Sequence, residues 1–487
     1  MATTTPRRTA AVESVPRRAC DHARGHITDS YFYGNNYATP ASRAIFCDVC
    51  RVQRWLDVEA ALAQAQGELG LIPPEAAAGI VAAARVENID LESMRAEIVQ
   101  SRHSLVGLLR GLQAVCPEGS GQYVHYGATT QDIQDTGQVL EMRDVLDRLE
   151  ADLEGFVDVL AALADRCAEI VAVGRTHARA ALPITFGIKV ASWLDEVLRH
   201  ARRLEEMRER VLVAQLFGGA GTMAGFGERA PELLERFAAR LGLGAPALGW
   251  HVARDRIVEY VATVAAVAGT MGRIADEIRT LSRPEIGEVE EAWEHGIVGS
   301  STMPHKRNPE RCEQVVVMAK LAAAQAPIAL AGMPGEHERD SRTLRVEWAC
   351  VPDVSHYCLA ALAITADIVG SLEIHPERMR RNAEAVTDEL GSEALMLALG
   401  ERLGKQNSHE IVYDLSQAAY EEGRTLRELL RERTELRALL DDETIERTFD
   451  PRAYLGASAA LTAAVVDEAR KWLHERGELA DETDAIA

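Results

Sequence analysis

The sequence predicts an all-α protein, and three observations lead to that prediction. Alanine, leucine, glutamate and arginine dominate the 487 residues, while aromatic residues make up only 5%. Apolar residues recur at spacings of three and four in segments such as residues 52–70 (VQRWLDVEAALAQAQGELG), which is the period of an amphipathic helix. The apolar/polar alternation of strands is nearly absent. Strong helix formers with helical periodicity therefore predict a helical fold.

Clusters of glycine, proline and polar residues divide the chain into long helical stretches. These breaks fall at residues 71–74, 117–130, 174–187, 218–227 and 296–309. Between them lie stretches of roughly 25 to 35 residues, well above the average helix of globular proteins. We predict a flexible arm followed by three domains: the arm at residues 1–30, an N-terminal helical domain at 31–122, a central long-helix bundle with the chemical motifs at 123–366, and a C-terminal helical domain at 367–487.

The balance of charge argues against nucleic acid and anionic membranes as partners. Aspartate and glutamate number 75 against 53 lysines and arginines, which gives a formal net charge of -22 at pH 7. An acidic protein repels polyanions, so any anionic ligand must meet locally placed cations. The basic N-terminus contains no apolar segment of the secretory kind, and the apolar run at residues 261–272 is shorter than a membrane span. We therefore expect a soluble, cytoplasmic protein.

The eight cysteines indicate neither a metal centre nor a disulfide framework. They are scattered along the chain, and the close pair Cys47 and Cys50 has no second pair that could complete a zinc site. We interpret them as reduced thiols. The sequence predicts no metal and no other cofactor.

One long helix in particular has almost no polar face. Residues 257–278 are apolar on most of the helix circumference, and a helix of that kind is buried. One chain could hardly bury several such helices, which predicts a homo-oligomer with closed symmetry around a shared bundle. A large monomeric bundle is the alternative.

The most unusual break is GSSTMPHKRNP, residues 299–309. Pro304 and Pro309 exclude a helix interior, and the run is too polar for a core strand. The sequence Asn308-Pro309-Glu310 predicts that a helix starts here, with Asn308 as its N-cap and proline in the first helical position. Taken piecemeal, a polar loop before a capped helix is an ordinary connection. The complete run is much more specific.

This run closely resembles the signature of the fumarase/aspartase superfamily, whose members eliminate a group from a succinyl-type substrate and usually release fumarate. The resemblance implies a homotetramer with a long-helix bundle and active sites assembled from three subunits. It implies that Ser300, as an alkoxide, removes the proton beside a carboxylate that Lys306 and Asn308 hold. Glu313, just past the first turn of the following helix, matches the carboxylate that orients the active-site histidine. The neighbouring loop residues expected to contact the substrate are Ser301, Thr302 and Met303.

The chemistry explains why such residue types are needed. A proton beside a carboxylate is weakly acidic, and its removal leaves two charges on one group, which fixed cations and donors must stabilise. A serine is a poor base at its ordinary pKa, so Ser300 requires Lys306 and backbone amides that favour its ionised form. Closure of the loop would exclude water.

Further regions of this family occur in the expected order between residues 36 and 456. The run VHYGATTQDIQDT (124–136) resembles the substrate-binding loop of adenylosuccinate lyases, and GRTHARAALPITFG (174–187) resembles the region that supplies the catalytic histidine, here His177. An isolated histidine is more often structural, but three regions at the family spacing favour catalysis. The resemblance implies that the second carboxylate is held by a set of substrate-binding residues: Thr129, Thr130, Gln131 and Asp132, with His125 and His103 nearby.

Two branches of the superfamily compete, the adenylosuccinate lyases and the bacterial 3-carboxymuconate cycloisomerases. The first normally binds a nucleotide phosphate with an Arg-Tyr pair, where this chain has Asn36, and with a serine and an arginine, where it has Leu344 and Trp348. Of these phosphate-binding residues Arg339 remains, and Arg342 or Arg345 would have to replace the missing phosphate contacts. Bacterial cycloisomerases typically lack a histidine at the position of residue 177. The sequence is thus a hybrid of the two branches.

Arg179 departs from both branches, which usually carry glutamine there. Arginine only donates hydrogen bonds, from a fixed fork with a permanent charge, which suits a leaving group with several oxygens. Together these features most resemble the nitrosuccinate lyases, which split nitrosuccinate into fumarate and nitrous acid. The alternatives are a 3-carboxymuconate cycloisomerase, an adenylosuccinate lyase and a catalytically inactive structural relative. Arg179 could also turn away to pair with a neighbouring carboxylate.

Overall fold

The structure, a computed structural model, describes residues 26–486 and the side chains of residues 26–477. Most of the predicted arm at residues 1–30 lies outside this range. The α-helices of the described residues are α1 (Pro40–Phe46), α2 (Asp48–Glu68), α3 (Pro74–Ala83), α4 (Leu91–Ser101), α5 (Val106–Val115), α6 (Thr130–Arg166), α7 (Phe186–Val211), α8 (Ala230–Arg240), α9 (Asp255–Leu281), α10 (Glu310–Gly332), α11 (Ser341–Gly370), α12 (Pro376–Ala385), α13 (Thr387–Leu403), α14 (Lys405–Glu422), α15 (Leu426–Glu432), α16 (Thr434–Arg437), α17 (Asp442–Thr448) and α18 (Ser458–Ile486). The short strands are β1 (Val171–Thr176), β2 (Arg179–Thr185), β3 (Val289–Glu290) and β4 (Glu373–Ile374).

Five long helices form the centre of the fold. Helices α6, α7, α9, α10 and α11 contain 37, 26, 27, 23 and 30 residues and pack against one another. Helix α18 returns to pack on α6 and α7. The all-α prediction and the long central bundle are confirmed.

Helices α9 and α10 differ in how far one chain buries them. Most of α9 is buried, and its exposed positions form a narrow stripe that includes Ala262, Ala266 and Gly269. Helix α10 leaves apolar side chains in solvent, with Ile328 44% and Leu330 54% exposed. One chain therefore buries α9, on which the oligomer prediction rested, far better than the sequence suggested. The exposed apolar surface that a second copy of the chain would cover lies on α10 instead.

Within the described part of the chain, three helices are long and apolar enough to cross a membrane by length and composition alone, namely α9, α10 and α11. They pack against one another within the bundle. Their apolar character is thus explained, for α9 and α11 above all, by burial inside the protein.

The break at residues 174–187 contains a β-hairpin that the sequence analysis missed. Strands β1 and β2 pair antiparallel, with Thr176 opposite Arg179. The two turn residues, His177 and Ala178, have φ values of 49° and 63°. Positive φ at both positions is the geometry of a type I′ turn, whose twist matches that of a hairpin. The hairpin packs on α12 and α13 and presents His177 at its tip.

The C-terminal part contains a separate small core. Apolar residues between Leu395 and Phe449 cluster with one another, whereas Val466 and Trp472 of α18 belong to the core of the central bundle. The N-terminal helix α2 also packs on α6 within that main core. The boundaries of the four predicted regions stay predictions.

Candidate active site

The loop at residues 296–309 holds the Ser300 hydroxyl among backbone amides. Ser300 Oγ accepts hydrogen bonds from the amides of Met303 at 3.0 Å and Thr302 at 3.3 Å. Amide donors aimed at an oxygen favour its ionised form, as in an oxyanion hole. Met303, Ser301 and Thr302 are exposed around this hydroxyl. The loop therefore surrounds this oxygen with two backbone donors, and the role of Ser300 as a base stays a prediction.

Asn308 closes this loop but does not cap the helix, so the N-cap prediction was wrong. Its Nδ2 donates to the carbonyl of Gly299 at 2.7 Å, and helix α10 begins at Glu310 with Pro309 in the N-cap position. The first-turn amide of Cys312 is satisfied by the Glu291 carboxylate at 2.8 Å instead. A side chain at position 299 would stand 2.2 Å from the Lys306 carbonyl, so only glycine allows the loop to close this tightly.

A cleft of about 1130 Å³ opens beside the loop and is lined by Lys306, Asn308 and Glu313. Its other walls are formed by helix α12, which contributes Arg381, and by the end of α9 with the residues that follow it, which contribute Arg283. The side chains of Lys306 and Glu313 are exposed and make no hydrogen bond or ion pair with any other described residue. In an acidic protein, this cleft offers the local cations that an anionic substrate needs.

A second group of predicted residues meets at the start of α6. Thr129 Oγ1 accepts a hydrogen bond from the guanidinium of Arg339, which follows α10. Thr130 Oγ1 lies 3.5 Å from His103 Nε2, while His103 Nδ1 accepts from the amides of Leu105 and Val106. Two hydroxyls, an imidazole and an exposed guanidinium thus come together, and hydroxyl and guanidinium donors of this kind can hold a carboxylate.

Asp132 and Gln131 lie behind this group rather than on its surface. The carboxylate of Asp132 is buried and accepts hydrogen bonds from the amides of Thr129, Phe217 and Gly218 at 2.9–3.0 Å. His251 Nε2 lies 2.9 Å from the same carboxylate. Gln131 donates to the buried Asp135 and to the His251 carbonyl. The geometry gives both residues a positioning task, and direct contact with a substrate stays a prediction for them.

A buried ionic cluster supports α6 from below. Arg254, 1% exposed, donates to both oxygens of Asp135 at 2.8 and 3.0 Å and to both oxygens of Glu347, and it stacks 4.8 Å above the Trp250 ring. Gln138 donates to Glu347 at 3.1 Å. Each charge in this cluster has an opposite charge and several hydrogen bonds, as burial requires.

His125 is paired with a carboxylate that the sequence analysis did not single out. Its Nδ1 lies 2.6 Å from Oε1 of Glu59, a buried residue of α2. Burial lowers the pKa of His125, but Glu59 and, at longer range, Asp132 raise it by more, so the pKa lies above its ordinary value. Glu59 comes from 66 positions away in the chain. An acidic residue within the apolar pattern of α2 was the available signal.

His177 and Arg179 stand exposed at the tip of the β1–β2 hairpin. The neighbouring Arg175 is held by Glu288, with contacts of 2.6 and 3.1 Å. Arg179 itself makes no ion pair or side-chain hydrogen bond with the described residues, so the alternative in which it pairs with a neighbouring carboxylate is not realised within this part of the chain. Nor does Glu313 bond to His177 here.

These groups lie at two ends of the molecule. Ser300 precedes α10 and Arg339 follows it, and 23 helical residues span about 35 Å. Thr129 precedes α6 and the hairpin follows it, and 37 helical residues span about 55 Å. The serine loop and the hairpin tip therefore share one end, and the Thr129 group occupies the other. One chain cannot place them all around one small substrate.

Among residues 26–477, whose side chains the structure describes, one group has a geometry compatible with a metal. The ligand atoms of Glu290, Glu373 and His375 lie within 4.8 Å of one another beside the β3–β4 ladder. Glu290 also faces the guanidinium of Arg307 at 3.9 Å, which disfavours a second cation nearby. We assign no metal to it, and the absence of a metal stays a prediction.

Comparison with known proteins places the chain among lyases. Residues 35–323 match the family described as lyase, and residues 390–465 match the family described as adenylosuccinate lyase C-terminus. The first of these matches covers more than half of the chain.

Relatives with established names cover nearly the whole chain. An N-acetyl-S-(2-succino)cysteine lyase of Dickeya dadantii (strain 3937) is 39% identical over 456 residues, 94% of this chain and 99% of the relative. An adenylosuccinate lyase of Methanothermobacter thermautotrophicus is 38% identical over 440 residues, 90% of this chain and 98% of the relative. The crystal structure of a 3-carboxy-cis,cis-muconate lactonizing enzyme from Pseudomonas putida superimposes with a TM-score of 0.82 at 37% identity, covering 90% of this chain and 98% of that one.

Proposed function

Because the chain belongs to the fumarase/aspartase superfamily of lyases, in the branch of the adenylosuccinate lyases and 3-carboxymuconate cycloisomerases, we propose that it splits nitrosuccinate into fumarate and nitrous acid. The release of fumarate by elimination is the chemistry of the superfamily. The nitro leaving group is the specific part of the proposal.

The observation that carries this specific part is that Arg179 has no ion-pair or side-chain hydrogen-bond partner among the described residues. Of the two arginines on the hairpin, Arg175 is fixed by the buried Glu288, while Arg179 extends from the tip beside His177. An unpaired guanidinium offers several donors in a plane and matches the two oxygens of a nitro group that is becoming nitrite. A leaving group without such oxygens would form fewer hydrogen bonds with this guanidinium.

The proposed reaction begins at the carbon beside one carboxylate. The Ser300 alkoxide takes the proton, and Lys306 and Asn308 stabilise the dianion that forms. The electron pair of the broken C–H bond becomes the double bond of fumarate, and the adjacent C–N bond breaks with its pair leaving as nitrite. Nitrite is a stable anion and needs no proton on departure. His177 and Arg179 would therefore orient it rather than protonate it.

The second carboxylate of the substrate would lie against the Thr129 group. Thr129, Thr130 and Arg339 present donors there. His103 lies beside Thr130, and His125 precedes Thr129 by four residues in the same loop. Because this group lies one helix length from Ser300, we propose that different copies of the chain supply the two ends of each site, as a homotetramer. Light scattering should then give about 213 kDa, four times the chain mass of 53.2 kDa. A 53.2 kDa species at micromolar concentration would contradict this assembly.

A second candidate substrate is N-acetyl-S-(2-succino)cysteine, which the name of the Dickeya dadantii relative favours. The same base and the same carboxylate contacts would serve, but sulfur would leave in place of nitrogen. That leaving group is larger and carries its own carboxylate, so Arg179 would contact a carboxylate instead of a nitro group. In either case we propose a soluble, cytoplasmic enzyme.

The test is a comparison of substrates on one preparation of the enzyme. Nitrosuccinate, N-acetyl-S-(2-succino)cysteine, adenylosuccinate and 3-carboxymuconate are supplied separately, and product formation is followed by ultraviolet absorbance. The highest kcat/KM for nitrosuccinate supports the proposal. A higher value for the succinylated cysteine overturns the leaving-group assignment and keeps the fumarate-releasing chemistry, while inactivity towards every succinyl compound favours a structural relative.

A further inference from the structure

We propose that Glu59 is a positioning residue that holds the His125 ring with its Nδ1 proton directed into the core and its Nε2 directed towards the substrate carboxylate at the Thr129 group. The inference deepens the proposed function and depends on its fumarate-binding half, not on the identity of the leaving group. It gives a task to a buried carboxylate that the elimination steps themselves do not use.

The contact between Glu59 and His125 is short and buried. Glu59 Oε1 lies 2.6 Å from His125 Nδ1, with the carboxylate side chain 1% and the imidazole side chain 15% exposed. A carboxylate can only accept here, so Nδ1 carries the proton and donates it. The remaining nitrogen, Nε2, is then the atom that can face outward, in the way a carboxylate fixes the ring of a histidine in other catalytic sites.

Among the described residues, His125 is the one side-chain donor to the Glu59 carboxylate. Its second oxygen, Oε2, is buried and has no hydrogen-bond partner among the described residues. Asp132, by contrast, divides its charge among three backbone amides and His251. An unshared carboxylate attracts the proton of its one partner more strongly. An unpartnered buried oxygen also reduces stability, which calls for a functional explanation.

The backbone is arranged to keep this contact. His125 has a φ of 62°, in the left-handed region that few residues other than glycine adopt. Gln66, two turns further along α2, donates to the Tyr126 carbonyl at 2.7 Å. Helix α2 thus holds two consecutive residues of the loop that leads into Thr129. The charged groups around His125 are Glu59 from α2 and Asp132 from α6, with His251 bonded to Asp132.

A charged donor at Nε2 suits a carboxylate ligand. Burial lowers the pKa of His125, but the charge and hydrogen bond of Glu59 together with the charge of Asp132 raise it above its ordinary value. The imidazolium form therefore persists to higher pH than in an isolated histidine. It can place a positive charge beside the second carboxylate of the substrate while Ser300, in another copy, acts as base.

The test separates charge from geometry with Glu59→Gln, which keeps an acceptor for Nδ1 but removes the negative charge. Carbethoxylation of His125 by diethylpyrocarbonate, followed by peptide mass spectrometry across pH, reports the protonation of this ring without any substrate. The midpoint should move to lower pH in Glu59→Gln and stay in place in the control Glu141→Gln. Glu141 is a buried carboxylate whose partner is Arg51, so its loss should lower stability alone.

Fumarate affinity, measured by calorimetry, supplies the second readout. Glu59→Gln should weaken fumarate binding by roughly tenfold at pH 8 and much less at pH 6, because protons restore the imidazolium at the lower pH. An unchanged carbethoxylation midpoint, or a loss of affinity that is equal at the two pH values, overturns the inference. Failure of the wild-type enzyme to turn over nitrosuccinate would remove the leaving-group proposal but would leave both of these readouts intact.

Discussion

The two ends of helix α10 differ in how their polar side chains are satisfied. At the Ser300 end, the side chains of Lys306 and Glu313 are exposed and have no partner in the described part of the chain. At the Arg339 end, Thr129 rests on Asp132, and Arg254 pairs with Asp135 and Glu347 in full burial. Both ends belong to one proposed catalytic cycle, yet only the second is complete within one chain.

The difference indicates two kinds of preparation for the substrate. The Arg339 end is preorganised, because buried, fully bonded charges hold the donors in place before a ligand arrives. The Ser300 end provides a base and cations on a loop. The hydrogen-bond and ion-pair partners of these side chains must come from the substrate or from a neighbouring copy of the chain. Substitutions should therefore fail in different ways: those at the Ser300 end in catalysis, and those in the buried cluster beneath the Arg339 end in stability.

The largest effect is expected for Ser300→Ala at the exposed end. Loss of the general base should lower fumarate release by roughly 100- to 10,000-fold, while circular dichroism and oligomer mass stay unchanged, because the hydroxyl bonds only to its own loop. Ser392→Ala is the matched control, since its hydroxyl bonds only to the Glu389 carbonyl in its own helix. Near-normal turnover in Ser300→Ala would remove the base assignment.

At the buried end, Arg254→Met should lower the stability of the protein. Removing the guanidinium leaves Asp135 and Glu347 buried without a counter-charge, which costs about 3–5 kcal/mol in the free energy of unfolding. Urea unfolding at fixed protein concentration measures this loss. Arg380→Met serves as the control, because its pairs with Glu377 and Glu384 are solvent-exposed and should contribute little to stability. Equal losses in the two variants would show that the buried cluster does not stabilise its end.

A smaller, selective effect is expected for Arg179→Gln. Nitrosuccinate turnover should fall by roughly ten- to a hundredfold, which corresponds to the loss of a charged hydrogen bond of about 1.5 to 3 kcal/mol. Fumarate affinity should change much less, because other residues hold both carboxylates. Arg175→Gln is the hairpin control: it unpairs the buried Glu288 and should reduce stability without this selectivity. Equal loss of turnover and fumarate affinity in Arg179→Gln would indicate a structural role.

Local patterns of apolar residues in the sequence predict the helices correctly. The periodicity of residues 52–70 predicts a helix, and α2 spans Asp48–Glu68. The segment 257–278 likewise lies within α9. The same periodicity does not predict how much of each helix is exposed, because packing by other elements decides which face is covered. Periodicity alone could not show that α10, rather than α9, retains the larger apolar surface.

The missed features depend on contacts between distant parts of the chain. Glu59 meets His125 across 66 residues, and Arg254 meets Asp135 across 119, separations that no motif spacing reports. The N-cap prediction for Asn308 fails because its side chain bonds to the Gly299 carbonyl, nine residues away, and its Oδ1 accepts from no first-turn amide of α10. The β1–β2 hairpin escapes the sequence pattern because its strands contain six and seven residues without clear alternation, and because Pro183 within β2 disfavours a strand prediction.

The most direct measurement is complementation between two inactive variants, one from each end of α10. Ser300→Ala and Arg339→Ala are co-expressed with different affinity tags, and the doubly tagged oligomer is purified and assayed for fumarate release. If each site draws its two ends from different copies, about a quarter of the sites combine an intact serine with an intact arginine, and turnover should recover to about a quarter of the native value. Turnover no higher than that of either variant alone would contradict a site assembled from both ends of α10.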